Sequence, residues 1–239
     1  MKGQPIMKHL TVLGAAMVLS TALAAPASAA VTVLTFDTGC EQNDPCVSGD
    51  FFAQSYGDSA EIGLSHRALD GAGAGSVVET GLRNYDLGYG DLVGVAWSNA
   101  FSSVGEITFD VLQPDISLSL LSLDTAGWFG DYETAFRIYD LSYNLLYDSG
   151  VLTTPYGADH LWVDLQGVTS TSGLRLQWDD AYLVAIDNLA FSVGSTMTPA
   201  VPEPATWLMM IAGFGAIGGA IRRKRGDAGR ALVASRSPI

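Results

Sequence analysis

The sequence predicts an all-β domain at residues 31–194, folded as a β-sandwich or jelly roll. Apolar and polar residues alternate with a period of two in many short segments, the pattern of strands with one buried face. Asp, Gly, Asn and Pro mark turns at intervals of roughly 8–12 residues. The sequence has no long amphipathic helical stripe and no internal repeat, so a two-layer all-β architecture fits it best.

Ten strands follow from this alternation. The segments ISLSLLSLD and TAFRIYD show it most clearly. Many short strands in about 165 residues favour two stacked sheets that share one core. The expected strands, in chain order, are Val31–Phe36, Gly75–Thr80, Leu92–Trp97, Glu106–Leu112, Ile116–Asp124, Ala135–Asp140, Asn144–Asp148, His160–Leu165, Gly173–Trp178 and Leu183–Val193.

The charge of the central part restricts its partners. Between residues 31 and 200 the sequence contains four arginines, no lysine and 23 acidic residues, hence a formal charge of −19. Such a surface repels phosphate backbones and anionic lipid, and it attracts divalent cations. We therefore expect no nucleic-acid partner.

Cys40 and Cys46 are the two cysteines of the chain. In an oxidising compartment a pair this close forms a disulfide that closes a small loop. The alternative is a metal-binding pair, but the further Cys or His ligands that a structural zinc site needs are not nearby. We expect the disulfide.

The first 30 residues have the three parts of a secretory signal peptide. Two lysines give a basic start, residues 10–25 are apolar, and the segment ends in the small residues Ala27-Ser28-Ala29. This pattern predicts cleavage after Ala29 or Ala30 and export of the mature protein. The alternative, a retained membrane helix, is disfavoured by the small-residue cleavage site.

The C-terminal part is organised as a membrane anchor. Residues 205–221 carry no charge, and as a helix these 17 residues are only just long enough to cross about 30 Å of hydrocarbon. Two prolines keep residues 201–204 extended before this span, and residues 195–200 form a short stalk. A basic block stops transfer and stays cytoplasmic, followed by a cytoplasmic tail at 226–239. The stop-transfer residues are Arg222, Arg223, Lys224 and Arg225.

Pro202-Glu203-Pro204, followed by Trp207, a short Gly-rich span and the basic block, resembles the PEP-CTERM sorting signal. This signal is also called the ice-binding-protein C-terminal domain, a label for the tail that carries no indication of ice affinity. The resemblance implies a transpeptidase-like membrane protease, exosortase, as the processing partner. It implies that Pro202, Glu203 and Pro204 are the recognition motif, and that Trp207 begins the transient anchor. Unlike typical members, this chain continues for 14 residues after the basic block.

The last expected strand carries a second resemblance. Its segment Ile186-Asp187-Asn188 is similar to the closing strand of galactose-binding-like jelly rolls, which occur in PEP-CTERM ectodomains and in some carbohydrate-binding modules. In that group a calcium ion can tie the first and last strands together. The resemblance implies Asp187 and Asp37 as calcium ligands, and carboxylate oxygens suit calcium. Alternatively, both are ordinary carboxylates at strand ends or turns.

No pattern of catalytic residues is visible. His66 and His160 lie far apart in the sequence, and no GxSxG elbow accompanies them. HExxH and Walker motifs are absent, and the GAGAG segment at 71–75 is expected to be a flexible turn. The 23 acidic residues contain many carboxylate pairs of the kind used in glycoside hydrolysis, but no particular pair stands out. We expect a protein that is not an enzyme.

Aromatic residues instead suggest carbohydrate binding, because an aromatic face stacks on the apolar side of a pyranose ring. The segment Trp128-Phe129-Gly130-Asp131-Tyr132 lies between two expected strands, where a loop can display Trp128 beside Asp131. For Trp128 a core position is the alternative. Trp97, Trp162 and Trp178 fall within strand patterns and are expected in the core.

Together these features predict an exported protein, anchored in the bacterial membrane by its tail and then processed to the cell surface or extracellular matrix. We expect a structural or adhesive component associated with extracellular polysaccharide, of which a carbohydrate-binding module is a variant. The alternative is a secreted glycoside-cleaving enzyme on a jelly-roll scaffold.

Overall fold

The computed structural model describes residues 29–43, 45–196 and 209–218, together with residue 222. Within these ranges the chain forms fourteen β-strands and a short helix at 209–218. The strands are β1 Ala30–Leu34, β2 Ile62–Leu69, β3 Val77–Glu79, β4 Arg83–Tyr85, β5 Val95–Trp97, β6 Val104–Val111, β7 Ile116–Gly127, β8 Tyr132–Thr134, β9 Phe136–Tyr139, β10 Leu145–Asp148, β11 Leu152–Thr154, β12 Leu161–Ser170, β13 Gly173–Trp178 and β14 Val184–Ser195.

Two six-stranded antiparallel sheets form the domain. The first sheet has the order β12-β7-β14-β5-β4, and β1 pairs with β14 beside β5. The second has the order β10-β9-β13-β6-β2-β3, and β8 pairs with β11 in a separate two-stranded ribbon. The prediction of an all-β sandwich is confirmed.

The core lies between the two sheets. Leu118 and Leu120 of β7 belong to one buried cluster with Ile107 of β6 and Leu176 of β13. The rings of Phe109 and Phe191, one from each sheet, are 5.4 Å apart between centroids. Side chains from the two inner faces therefore interdigitate, as expected for stacked sheets.

The three strand tryptophans occupy different environments. Trp178 is fully buried in the core, as predicted, and its indole N–H donates to the Val184 carbonyl at 3.1 Å. Trp97 is buried on the outer face of the first sheet rather than between the sheets. The prediction that Trp162 fills the core is wrong, because the residue is 60% exposed. In β12, Trp162 alternates with the buried Val163 and therefore faces outward.

The disulfide between Cys40 and Cys46 is present, with 5.4 Å between the Cα atoms. It closes a small loop after β1, so the alternative of a metal-binding pair is rejected.

Most predictions for the N-terminal and C-terminal segments concern residues outside those that the structure describes. These include the signal peptide, the stalk, the sorting motif at 202–204 with Trp207, and the tail at 226–239. Of the basic block, only Arg222 is described. Among the residues that the structure describes, no helix has the length and apolar character required to span a membrane.

Candidate functional site

The segment Ile186-Asp187-Asn188 of β14 introduces a bulge into the first sheet. Asn188 has a φ of 49°, in the left-handed region that asparagine tolerates, and the pairing with β7 shifts between Asp187 and Ala190. The extra residue lets Ile186 and Leu189 both face the core, although they are three positions apart. Asp187 consequently projects from the outer face, and its Oδ1 accepts the Asn188 backbone N–H at 2.6 Å.

Three residues on neighbouring strands form a row across this outer face. In the register, Asp187 lies opposite Asp124 of β7, and Asp124 lies opposite Trp162 of β12. Directly opposed residues in antiparallel strands place their side chains on the same face. The row therefore consists of the exposed indole of Trp162, the carboxylate of Asp124 and the carboxylate of Asp187, in that order. The side-chain amide of Asn188 also donates a hydrogen bond to Asp124 at 2.9 Å.

Asp37 joins this row from the segment that follows β1. Its carboxylate occupies the space into which a side chain at position 94 would project. Gly94 has a φ of 73° and immediately precedes β5, so glycine is required there both by its backbone conformation and by the approach of Asp37. The predicted proximity of Asp37 and Asp187 is consistent with the electrostatic interaction between the two carboxylates.

His160 completes the group at the start of β12. Its Nδ1 lies 2.8 Å from Asp91 Oδ1, and its Nε2 lies 3.8 Å from Asp124 Oδ1. The four carboxylates of Asp37, Asp91, Asp124 and Asp187, together with His160, are called the acidic cluster below. Sequence reasoning missed Asp91 and Asp124, and it assigned His160 no role.

The electrostatics of the acidic cluster favour neutralisation of Asp187. Asp187 is 5% exposed. Burial and then the nearby charges of Asp37 and Asp124 raise its pKa to about 7, against the opposing effect of the Asn188 N–H. The hydrogen bond to Asp91, and then the charge of Asp124, raise the pKa of His160 above its ordinary value. A proton on either group reduces the repulsion among the carboxylates.

The acidic cluster does not have the geometry of a complete metal site. Its carboxylates have the oxygen chemistry that calcium prefers. However, no group of three or more His, Cys, Asp or Glu side chains within the described parts of the chain is arranged to hold a metal ion. Calcium binding by Asp37 and Asp187 therefore stays a prediction.

Trp128 belongs to an aromatic cluster beside the acidic cluster. The cluster contains Tyr85, Tyr89, Trp97, Trp128 and Tyr182 on the outer face of the first sheet. Tyr85 contacts Trp97 and Trp128 with its ring nearly perpendicular to theirs, at centroid distances of 5.2 and 6.4 Å. The half-buried Trp128 has an indole N–H without a hydrogen-bond partner among the described residues.

Asp131 is exposed and forms no hydrogen bond or ion pair with the described residues. Beside it, Phe129 is 71% exposed and stands at the rim of the aromatic cluster. Trp128 and Asp131 share no contact among the described residues, and carbohydrate binding by this pair stays a prediction.

His66 has a structural role. It is buried in β2, its Nδ1 accepts the Leu82 N–H at 3.0 Å, and its Nε2 lies 3.0 Å from the Ala53 carbonyl. Burial lowers its pKa, so the neutral imidazole bridges two backbone groups.

A cavity of about 440 Å³ opens elsewhere, beside the ends of β1 and β14. Its lining includes Ala30, Ser59, Val193 and Ser195, and it lies at the opposite end of β14 from Asp187. Asp58 and Glu61 also line it, but none of its described lining residues is an exposed aromatic side chain, so the outer face with Trp162 is the better candidate site.

Comparison with known proteins identifies the tail. Residues 200–225 match the PEP-CTERM protein-sorting motif, which confirms the resemblance inferred from Pro202-Glu203-Pro204. This motif is the recognition signal of exosortase and indicates an exported protein. No curated protein matches the sequence.

Solved structures with partial similarity include two mannanases and a phage protein. The GH26-CBM35 β-(1,4)-mannanase of Podospora anserina is 17% identical over 60% of this chain and 29% of that protein, with a TM-score of 0.30. A ruminal GH26 endo-β-1,4-mannanase is 14% identical over 71% and 26%, with a TM-score of 0.29. Tailspike protein 4 of bacteriophage CBA120 is 12% identical over 60% and 20%, with a TM-score of 0.26. The chain spans less than a third of each of these proteins.

Proposed function

We propose that this exported PEP-CTERM protein is a structural or adhesive component associated with extracellular polysaccharide, and that it is not an enzyme. The observation that carries the proposal is the sorting motif at residues 200–225, joined to an acidic β-sandwich. In this proposal a signal peptide directs export, and the apolar run at 205–221 holds the chain transiently in the membrane. Exosortase then acts at Pro202-Glu203-Pro204 and releases the domain to the surface or matrix.

The sorting step is tested by replacing both prolines of the motif. Pro202→Ala together with Pro204→Ala removes the extended motif that the protease recognises. We expect a full-length, membrane-held species in cells where the wild type is trimmed, visible as a size difference on an immunoblot of membrane and external fractions.

Pro199→Ala is the matched control, because this proline lies just before the matched residues 200–225. The control should be trimmed like the wild type. Equal trimming of the double variant and the wild type would refute the sorting proposal.

Association with polysaccharide is supported by the outer face of the first sheet. Trp162 exposes an indole next to hydrogen-bonding carboxylates, a combination suited to sugar recognition. A glycan array probed with the purified protein tests this part, and we expect retention on at least one polysaccharide class. Absence of binding to every glycan would leave only a structural role.

A glycoside-cleaving enzyme remains the second candidate, and one observation favours it. Asp187, with its pKa raised to about 7, lies opposite Asp124, so a protonated acid stands beside a carboxylate. Release of reducing ends from a bound glycan, abolished by Asp187→Asn, would establish this candidate. Binding without release of reducing ends would favour the non-enzymatic proposal.

A further inference from the structure

We propose that the acidic cluster and Trp162 form a binding site for a cationic sugar, namely a hexosamine residue with a free ammonium group. This proposal rests on the proposed association with polysaccharide and specifies its ligand class. Three observations carry the proposal. The acidic cluster has more carboxylates than cationic groups, the exposed indole of Trp162 lies beside it, and the distance from this indole to the carboxylates suits a sugar.

The chain supplies too little positive charge to the acidic cluster. Four carboxylates lie near one another there with one imidazole, that of His160. The arginines of the described domain are all paired elsewhere. Arg67 and Arg175 bind Glu106, Arg83 binds Glu79, and Arg137 binds Asp148 and Asp179. Protonation of Asp187 or His160 supplies part of the missing countercharge, and a cationic ligand from outside the domain can supply the rest.

Asp187 is the part of the cluster that most needs this countercharge. It is more than nine-tenths buried, and only the Asn188 backbone N–H, on Oδ1, donates to it among the described residues. A buried carboxylate without a cationic partner is costly, whereas an ammonium that donates hydrogen bonds removes the cost. The second oxygen of Asp187 is available for such a donor.

Trp162 indicates that the cation is carried by a sugar. A bare metal ion requires several converging ligands, and the described residues contain no such group. Trp162 is 60% exposed and lies opposite Asp124, so its indole offers an apolar platform next to the carboxylates. Stacking on the indole suits a pyranose ring, and a cation at its edge gains further attraction to the aromatic face.

The spacing of the row fits two adjoining hexosamine residues, each with an ammonium substituent. Neighbouring strands are about 4.8 Å apart, so Trp162 and Asp187, two strands apart, are separated by roughly 10 Å across the sheet. A ring stacked on Trp162 places its ammonium over Asp124, and the ammonium of the adjoining hexosamine residue reaches towards Asp187. An acidic sugar is repelled by the four carboxylates, and a neutral sugar leaves the Asp187 charge uncompensated.

Calorimetry on the full-length protein in detergent, with a chelator present, tests the proposal. The probes are a glucosamine hexasaccharide, its fully N-acetylated counterpart, an oligouronate and hexalysine. We expect the glucosamine hexasaccharide to bind at least tenfold more tightly than each of the others. Trp162→Ala, and Asp124→Asn combined with Asp187→Asn, should each weaken this binding at least tenfold, whereas Trp162→Phe should retain most of it.

The matched control is Asp110→Asn combined with Asp115→Asn. Both carboxylates are exposed, so this variant removes the same charge from outside the acidic cluster. It should bind like the wild type, and melting curves of all variants should show intact folding. Equal weakening by the control would overturn the proposal, since overall charge would then explain the binding.

The proposal is also overturned if the acetylated probe or hexalysine binds as tightly as the glucosamine probe, or if a parallel titration without the chelator is the only one that shows binding. If a neutral or acidic glycan binds and Trp162→Ala does not weaken that binding, the proposed site is rejected but the proposed function stands. Absence of binding to every glycan would remove the site and the polysaccharide association together.

Discussion

At the scale of single residues, Asn188 shows how a local backbone conformation creates the candidate site. Its left-handed φ of 49° accommodates the bulge that turns Asp187 outward while Ile186 and Leu189 remain in the core. Its N–H and its side-chain amide then hold Asp187 and Asp124, respectively. One residue therefore sets the orientation of both carboxylates.

Asp187 should make the stability of the domain depend on pH. Its pKa is raised in the folded state to about 7, so the folded domain favours the protonated form of Asp187. The folded domain therefore loses stability relative to the unfolded chain as pH rises from about 4 to 7. Asp187→Asn mimics the protonated form and keeps the acceptor for Asn188. We expect a gain of about 1–2 kcal/mol at pH 8, or roughly 2–8 °C in Tm, shrinking towards pH 4.

Thermal melting of the wild type and of Asp187→Asn measures the difference in Tm. A chelator is added to both samples, because free divalent cations would otherwise neutralise the acidic cluster. Asp131→Asn, at an exposed carboxylate, is the control and should leave Tm unchanged at both pH values. A Tm at pH 8 that is the same for Asp187→Asn and the wild type would contradict the raised pKa.

The pairing of Asp187 with Asp37 could be anticipated, because the resemblance of the closing strand linked the two residues. Asp124, Asp91 and His160 could not be found in this way. They reach the cluster only through the order of β12, β7 and β14 and their register, which residue type alone does not specify. The exposure of Trp162 has the same origin, because β12 is an edge strand whose outer face no segment covers in the structure described.

At the scale of elements, β6 is joined to its neighbours by a buried charge. Glu106 is fully buried and accepts from Arg67 of β2 and from Arg175 and Gln177 of β13. Gln177 also exchanges two hydrogen bonds with the backbone of Gly73, so the turn expected to be flexible at 71–75 is tied to this sheet. The second sheet thus has a polar centre on its outer side.

Removal of the Glu106 carboxylate should destabilise the second sheet strongly. Glu106→Ala leaves two partly buried guanidinium groups without their shared partner, and we expect a loss of about 3–5 kcal/mol. Denaturant unfolding measures it. Glu79→Ala, which removes the partner of Arg83 near the sheet edge, serves as the comparison and should cost less. A loss for Glu106→Ala below that of Glu79→Ala would contradict this role.

Each of the ten expected strands coincides with an observed strand, although several ends differ by one to five residues. Gly173–Trp178 matches at both ends. The four strands missed were β2, β4, β8 and β11. Three of them have only three residues, too few for a period of two to be visible. In β2, the polar His66 occupies a core-facing position and hides the alternation of Ile62, Leu64 and Ala68.

At the scale of the whole molecule, the two ends of the domain are neighbours. Ala30 pairs with Val193, because β1 runs antiparallel to the end of β14. The sequence predicted a signal peptide before this strand and a sorting tail after it. Their adjacency depends on the pairing of the first and last strands, which no local pattern encodes.

Because of this pairing, the first and last residues of the domain lie at one end of β14, and Asp187 lies towards the other end. Ser195 lies eight positions after Asp187 in β14, a distance of roughly 26 Å in an extended strand. In the proposed sorting, the end at Ser195 precedes the tail and would be the nearer one to the membrane, and the acidic cluster lies farther along β14. A sugar polymer held there would lie clear of the protease that trims the tail, so loading with polymer and release from the membrane can occur in either order.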